Sequence, residues 1–141
     1  MNRDLRWIVA TPLMVVLLLS ACGEAPSDEH VPSEAFRLEA IEGTELSRVI
    51  LTARGAERVG IETAAVSTAG GRKTVPADAV FFDVDGDEWV YTNPEPLVFV
   101  RAAITVDRFK EDVAVLSEGP PAGTRVVTVG VSELIGSEFG V

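Results

Sequence analysis

Residues 80–91 read Val-Phe-Phe-Asp-Val-Asp-Gly-Asp-Glu-Trp-Val-Tyr. Two apolar triplets, Val80-Phe81-Phe82 and Trp89-Val90-Tyr91, flank Asp85-Gly86, a dipeptide suited to a two-residue turn because it takes positive φ at little cost. β-branched and aromatic residues dominate both arms. The stretch predicts a β-hairpin. Trp89 and Tyr91 share one face at period two, the spacing of side chains that pack on a core or across strands.

Working outward, short β-rich runs recur between turn signals: Thr74 to Pro76, Ala79 to Phe82, Glu88 to Thr92, Leu97 to Val106, Val113 to Ser117 and Arg125 to Val129. Pro76 is expected to start a bend over Ala77-Asp78. Asn93-Pro94-Glu95-Pro96 is expected to separate two strands, and Gly119-Pro120-Pro121-Ala122-Gly123 to form a rigid turn. Upstream, Arg48-Val49-Ile50-Leu51 predicts a strand. Thr52 then caps a two-turn helix from Ala53 to Val59, which Gly60 ends in the left-handed region. Leu51 and Ala56 have the spacing of a hydrophobic staple. Ile61 to Ser67 is expected to be extended and Ala69-Gly70-Gly71 a loop. Ser132 is expected to cap a single helical turn that stops at Gly136. The whole predicts a mainly β domain over 48–141, a small antiparallel barrel or sandwich with one or two short helices.

Asp83-Val84-Asp85-Gly86-Asp87-Glu88 is the one acidic cluster that invites a metal reading. A calcium loop needs Gly at position six and Glu at twelve. Counted from Asp83, Gly falls at four and position twelve is Pro94. The hairpin turn is therefore the preferred reading, and no metal or cofactor site is expected.

Composition narrows the function. The chain has 141 residues, 47% of them hydrophobic and 24% charged, which suits one folded domain. Twelve Lys and Arg against 22 Asp and Glu give a net charge of -10, unsuited to the phosphate backbone of nucleic acid. One Cys excludes a disulfide within the chain and a Cys-rich zinc site, and one His excludes a His-based metal triad. No Gly-x-Ser-x-Gly, His-Glu-x-x-His or phosphate loop occurs. The expectation is a protein that is not an enzyme.

The N-terminus carries an address. Arg3 and Arg6 precede the uncharged run Trp7 to Leu19, which is too short for a spanning helix of roughly 20 residues and has Pro12 inside it. The run ends in Leu19-Ser20-Ala21-Cys22, which resembles the bacterial lipoprotein box. That resemblance implies a cleaved signal peptide over 1–21 and lipid attachment at Cys22. Acyl chains contribute about 0.8 kcal/mol per buried CH₂, so two or more hold a protein at the membrane. Loss of 1–21 removes Arg3, Arg6 and Asp4, leaving 10 basic against 21 acidic residues. Anionic headgroups will not attract such a surface, so the lipid is expected to do the holding. Residues 22–47 are expected to serve as an acidic linker. Its first part, 23–36, is rich in acids, Pro and small residues, and its lone His30 is expected to be solvated. Within the rest, Leu38 and Ile41 are candidates to dock on the domain edge, with a turn at Gly43-Thr44.

Four motifs in order carry a wider resemblance: Val75-Pro76-Ala77-Asp78-Ala79-Val80, Trp89-Val90-Tyr91, Phe99-Val100-Arg101, and Ala122 to Gly130. Their succession resembles the C-terminal, membrane-proximal part of periplasmic adaptor subunits, the membrane fusion proteins of the HlyD type. The leading segment Leu51 to Thr63 is similar to that of metal- and drug-efflux adaptors. The closing Glu133 to Val141 resembles small stand-alone bacterial lipoproteins. The resemblance spans roughly 47–141 and implies a module that touches a membrane transporter. Only a few residues separate Ser67 from Lys73, which leaves no room for the lipoyl-like domain or helical hairpin of a full adaptor. No role in reaching an outer channel follows.

Two functions are thus expected in competition. One is a lipid-anchored, non-enzymatic protein on the extracytoplasmic face of a bacterial membrane, the cell membrane or the outer membrane where there is one, partnering an export or efflux transporter or copies of itself. The other is a lipoprotein that binds a small ligand or metal ion.

Overall fold

A computed structural model describes residues 34–140. The expected signal peptide, Cys22, His30 and the linker to residue 33 lie outside the described residues. Strands occupy 51% of what is described, so the domain is mainly β.

The elements run β1 (Phe36–Ala40), β2 (Ser47–Leu51), α1 (Ala53–Val59), β3 (Glu62–Ala65), β4 (Ser67–Ala69), β5 (Arg72–Pro76), a 3-10 turn (Ala77–Ala79), β6 (Phe81–Phe82), β7 (Glu88–Glu95), β8 (Val98–Ala103), β9 (Thr105–Lys110), β10 (Val113–Glu118), β11 (Arg125–Val129) and α2 (Val131–Phe139). All strand pairs are antiparallel. One sheet has the order β1-β2-β8-β7-β11-β3, with β6 on the flank of β7. The other has the order β4-β5-β10-β9. Among the described residues neither sheet closes on itself, so the barrel expectation gives way to two open sheets.

Alternation along the strands of the larger sheet builds two cores. Val90, Val126 and the half-buried Ala102 face the smaller sheet and meet Val75, Ala114 and Leu116. Tyr91 and Val127, one residue along on the same strands, and Phe99, three residues before Ala102, face the other way and meet Leu134 of α2. The chain passes between sheets at Val66, after β3, and at Ile104, after β8. Both residues are buried in the first core.

Local chemistry explains α1. Thr52 Oγ1 accepts from the Gly55 amide at 3.0 Å, and Gly60 ends the helix at φ 70°. Leu51 and Ala56 join the same core, as a staple requires. Gly70 and Gly71, both at positive φ, make a two-residue hairpin between β4 and β5, tighter than the expected loop because Ala69 still pairs with Arg72.

Several expected boundaries are corrected. Part of the 22–47 linker is structured: β1 pairs along β2 and forms the sheet edge, with Gly43 in the connecting turn. Asn93, Pro94 and Glu95 do not separate strands; they complete β7. Pro94 sits where the β7–β8 register shifts, so its missing amide breaks no regular ladder, and Asn93 Nδ2 donates to the carbonyls of Glu95 and Val98. The turn falls instead at Pro96-Leu97, with Leu97 at φ 65°. The run Leu97 to Val106 is two strands, because buried Ile104 turns the chain into the second sheet. The helix at the C-terminus does not stop at Gly136. It starts after Gly130, not at a Ser132 cap, and ends at Gly140, where the left-handed conformation sits.

Gly55 carries a prediction. Helix propensity alone favours Gly55→Ala by about 1 kcal/mol. A Cβ there would press far inside contact distance of the Ala35 carbonyl oxygen, which also accepts from the Thr52 amide at 2.9 Å. Backbone cannot yield as a side-chain tip can, so the substitution is expected to cost about 1–3 kcal/mol net. A denaturant melt checks the sign, and a gain in stability would contradict the close approach of Ala35.

Candidate docking groove

The period-two alternation of β7 puts Trp89 and Tyr91 on the face that α2 covers. On β8 the same face carries Phe99 and, two residues on, Arg101. Tyr91 and Arg101 are direct register partners. On α2, Val131, Leu134, Ile135 and Glu138 fall at i, i+3, i+4 and i+7, one helical stripe. The fourth member of that stripe is a carboxylate on an otherwise apolar face.

Its partners explain it. Glu138 Oε1 lies 3.2 Å from Arg101 Nε, with the two side chains 5% and 13% exposed. The Nε–H is not aimed at that oxygen and has no hydrogen-bond acceptor in the described chain, so the contact is an ion pair held by charge alone. The Tyr91 hydroxyl donates to Glu138 Oε2 at 2.6 Å. Burial, together with the bond to Glu138 and its charge, holds the Tyr91 pKa far above its ordinary value, while Arg101 opposes the shift. Tyr91 therefore stays a proton donor. Phe81 stacks on Tyr91, with ring centroids 5.0 Å apart. The Arg101 guanidinium lies 4.5 Å from the Trp89 ring centre and 5.1 Å from that of Phe139. A carboxylate in the last turn of a helix meets the negative end of the helix dipole, so Arg101 compensates an unfavourable placement as well as a buried charge.

The hairpin of 80–91 forms, but its connection is five residues long, Asp83 to Asp87, and not the expected Asp85-Gly86 alone. Phe81 pairs with Trp89 and Phe82 with Glu88. Gly86 takes φ 88°. Asp83 organises the loop: Oδ1 accepts from the amides of Asp85 at 3.0 Å and Asp87 at 2.9 Å, and Oδ2 from the Trp89 indole at 2.9 Å. The Trp89 bond, the largest influence, holds the Asp83 carboxyl below its ordinary pKa; burial opposes it, and the amides of Asp87, Asp85 and Gly86 add to the lowering. Both oxygens of Asp83 thus accept hydrogen bonds inside the turn. Among the described residues no group of three or more His, Cys, Asp or Glu is placed to hold a metal.

Between this loop, the β1–β2 turn and α2 lies an open groove of about 640 Å³. Phe81, Trp89, Ile135 and Phe139 form its apolar floor and wall. Glu45, Asp83, Asp85 and Asp87 stand around it, and among the described residues Arg101 is the one basic side chain lining it. Phe82, Val84 and Phe139 on its rim are 56%, 101% and 48% exposed.

Cys22, the one site residue expected from sequence, lies outside the described residues. The acidic turn and Trp89 come together along the groove, while Tyr91 is fully buried in the second core. Sequence reading missed Arg101 and Glu138, although both lie in motifs it singled out. The available signal was the i+7 position of Glu138 behind Val131, Leu134 and Ile135, hidden by ending the helix at Gly136. Comparison with protein-family models, with curated proteins and with solved structures finds no match.

Proposed function

We propose that the chain is a lipid-anchored, non-enzymatic accessory protein on the extracytoplasmic side of a bacterial membrane, and that its groove docks on a membrane export transporter. The observation that carries the reading is the uncovered apolar rim. Val84 is fully exposed at the tip of a loop tied down by Asp83, and Phe82 and Phe139 lie half-exposed beside the same groove. Contiguous apolar surface around a concave site marks an interaction face. The Leu19-Ser20-Ala21-Cys22 box supports the anchor, which would confine the encounter to the membrane surface and raise local concentration. The metal-binding alternative gains nothing from Asp83, whose oxygens serve the turn.

The test places a photo-crosslinking amino acid at Val84 in the full chain in intact cells. Adducts with a transporter subunit are expected, and none should form from exposed Val113. Adducts with lipid alone, or equal labelling at both positions, would refute the docking face. A Cys22→Ser variant is expected to leave the membrane fraction.

A further inference from the structure

We propose that the groove takes a short extended segment in which a large apolar side chain is flanked by Lys or Arg, presented by an extracytoplasmic loop of the membrane partner. The inference rests on the docking reading above and names the chemistry of what docks.

Charge and shape point the same way. Four carboxylates, Glu45, Asp83, Asp85 and Asp87, stand against one guanidinium. Arg101 adds no free positive charge, since Glu138 already sits 3.2 Å from it. The groove is therefore apolar at the floor, and its rim sets carboxylates among exposed apolar residues. An anionic ligand would meet repulsion from the rim with Arg101 already neutralised. An anionic lipid surface would be repelled in the same way. A cationic, apolar segment satisfies both parts: its large side chain lies on Trp89 and Phe139, and its flanking charges meet Asp85 and Asp87. The loop is pre-organised by the Asp83 hydrogen bonds, so little order need be imposed on binding. A volume of about 640 Å³ admits one large side chain with its neighbours.

One segment of this chain has the same chemistry. Arg108-Phe109-Lys110 on edge strand β9 sets a 51% exposed aromatic between two cations. A second copy is thus the rival occupant, and the test must separate it.

The full chain is reconstituted in nanodiscs of neutral lipid, with empty discs as control. Labelled heptapeptides centred on Lys-Phe-Lys, Glu-Phe-Glu and Lys-Ala-Lys are titrated by anisotropy. The Lys-Phe-Lys peptide is expected to bind roughly tenfold tighter than either other, and to weaken with salt. Asp85→Lys with Asp87→Lys is expected to remove that preference. Affinities within about twofold of one another, or no binding of Lys-Phe-Lys at millimolar concentration, would overturn the proposal. Self-association of the chain that Phe109→Ser abolishes would also overturn it, by making the second copy the occupant. If Val84 crosslinks a transporter while the peptides fail to discriminate, docking stands and this chemistry falls. If the peptides discriminate while Val84 captures no transporter, the chemistry stands and the transporter reading falls.

Discussion

Glu138→Ala is expected to destabilise the domain by about 3–5 kcal/mol, the cost of stranding a buried charge. Arg101 is 13% exposed and would lose its counter-ion, while the Tyr91 hydroxyl, fully buried, would lose its acceptor. For a domain of this size the thermal midpoint should drop by roughly 15–30 °C. The alternative is that surrounding water and the faces of Trp89 and Phe139 support Arg101 alone. Those ring contacts are worth about 1–2 kcal/mol in a desolvated site, too little to replace a full counter-charge. Two further variants separate the causes. Glu138→Gln keeps an acceptor for Tyr91 but no charge, so it isolates the ion pair. Glu138→Leu combined with Arg101→Met removes both charges and should recover the part of the loss due to the stranded charge, leaving about 1–3 kcal/mol for the Tyr91 hydroxyl, which still lacks its acceptor. A Glu138→Ala loss below about 1 kcal/mol would mean the pair behaves as an exposed one.

The local signals that survived folding were those whose cause is itself local. Thr52, Gly60 and the Leu51–Ala56 staple act within one helix and its flanks, so α1 was legible to the residue. The hairpin arms were legible for the same reason, through period-two alternation. What failed depended on partners distant in sequence. Nothing near Ile104 announces a bend; the chain turns there because Ile104 fills the core between the sheets. β9 beyond it is mostly exposed and polar, since it is an edge, and edge strands lose the alternation that makes strands readable. Pro94 looked like a break because a central strand excludes it, yet a register shift accommodates it. Gly136 looked like a helix end, but the helix needs its next turn to bring Glu138 to Arg101, 37 residues earlier in sequence. The groove combines both cases: its acidic, aromatic loop was visible as a motif, and its opposite wall was not.

Leu134→Ala should cost about 2–5 kcal/mol, and the loss should be concentrated in α2 and the second core. Leu134 is 1% exposed and is the one fully buried residue of the helix; its stripe neighbours Val131 and Ile135 are only half-buried. It sits with Val49, Tyr91, Phe99 and Val127, on the side of the larger sheet away from the smaller one. The first core, of Val75, Val90, Leu116 and Val126, makes no use of it. Removing three carbons at Leu134 therefore weakens one layer of the domain and leaves the other packed. The helix cannot compensate by sliding, because Glu138 is tied to both Tyr91 and Arg101. In amide exchange, residues 131–140 are expected to lose protection first, while Val113–Glu118 retain it. Ile135 and Phe139 line the groove, so opening of α2 would remove its wall before the domain unfolds. Peptide affinity for the groove should then fall in Leu134→Ala under conditions where the β-sheet signal in circular dichroism is unchanged. Uniform loss of protection across both cores would instead make them one cooperative unit, and would tie the integrity of the groove to global stability alone.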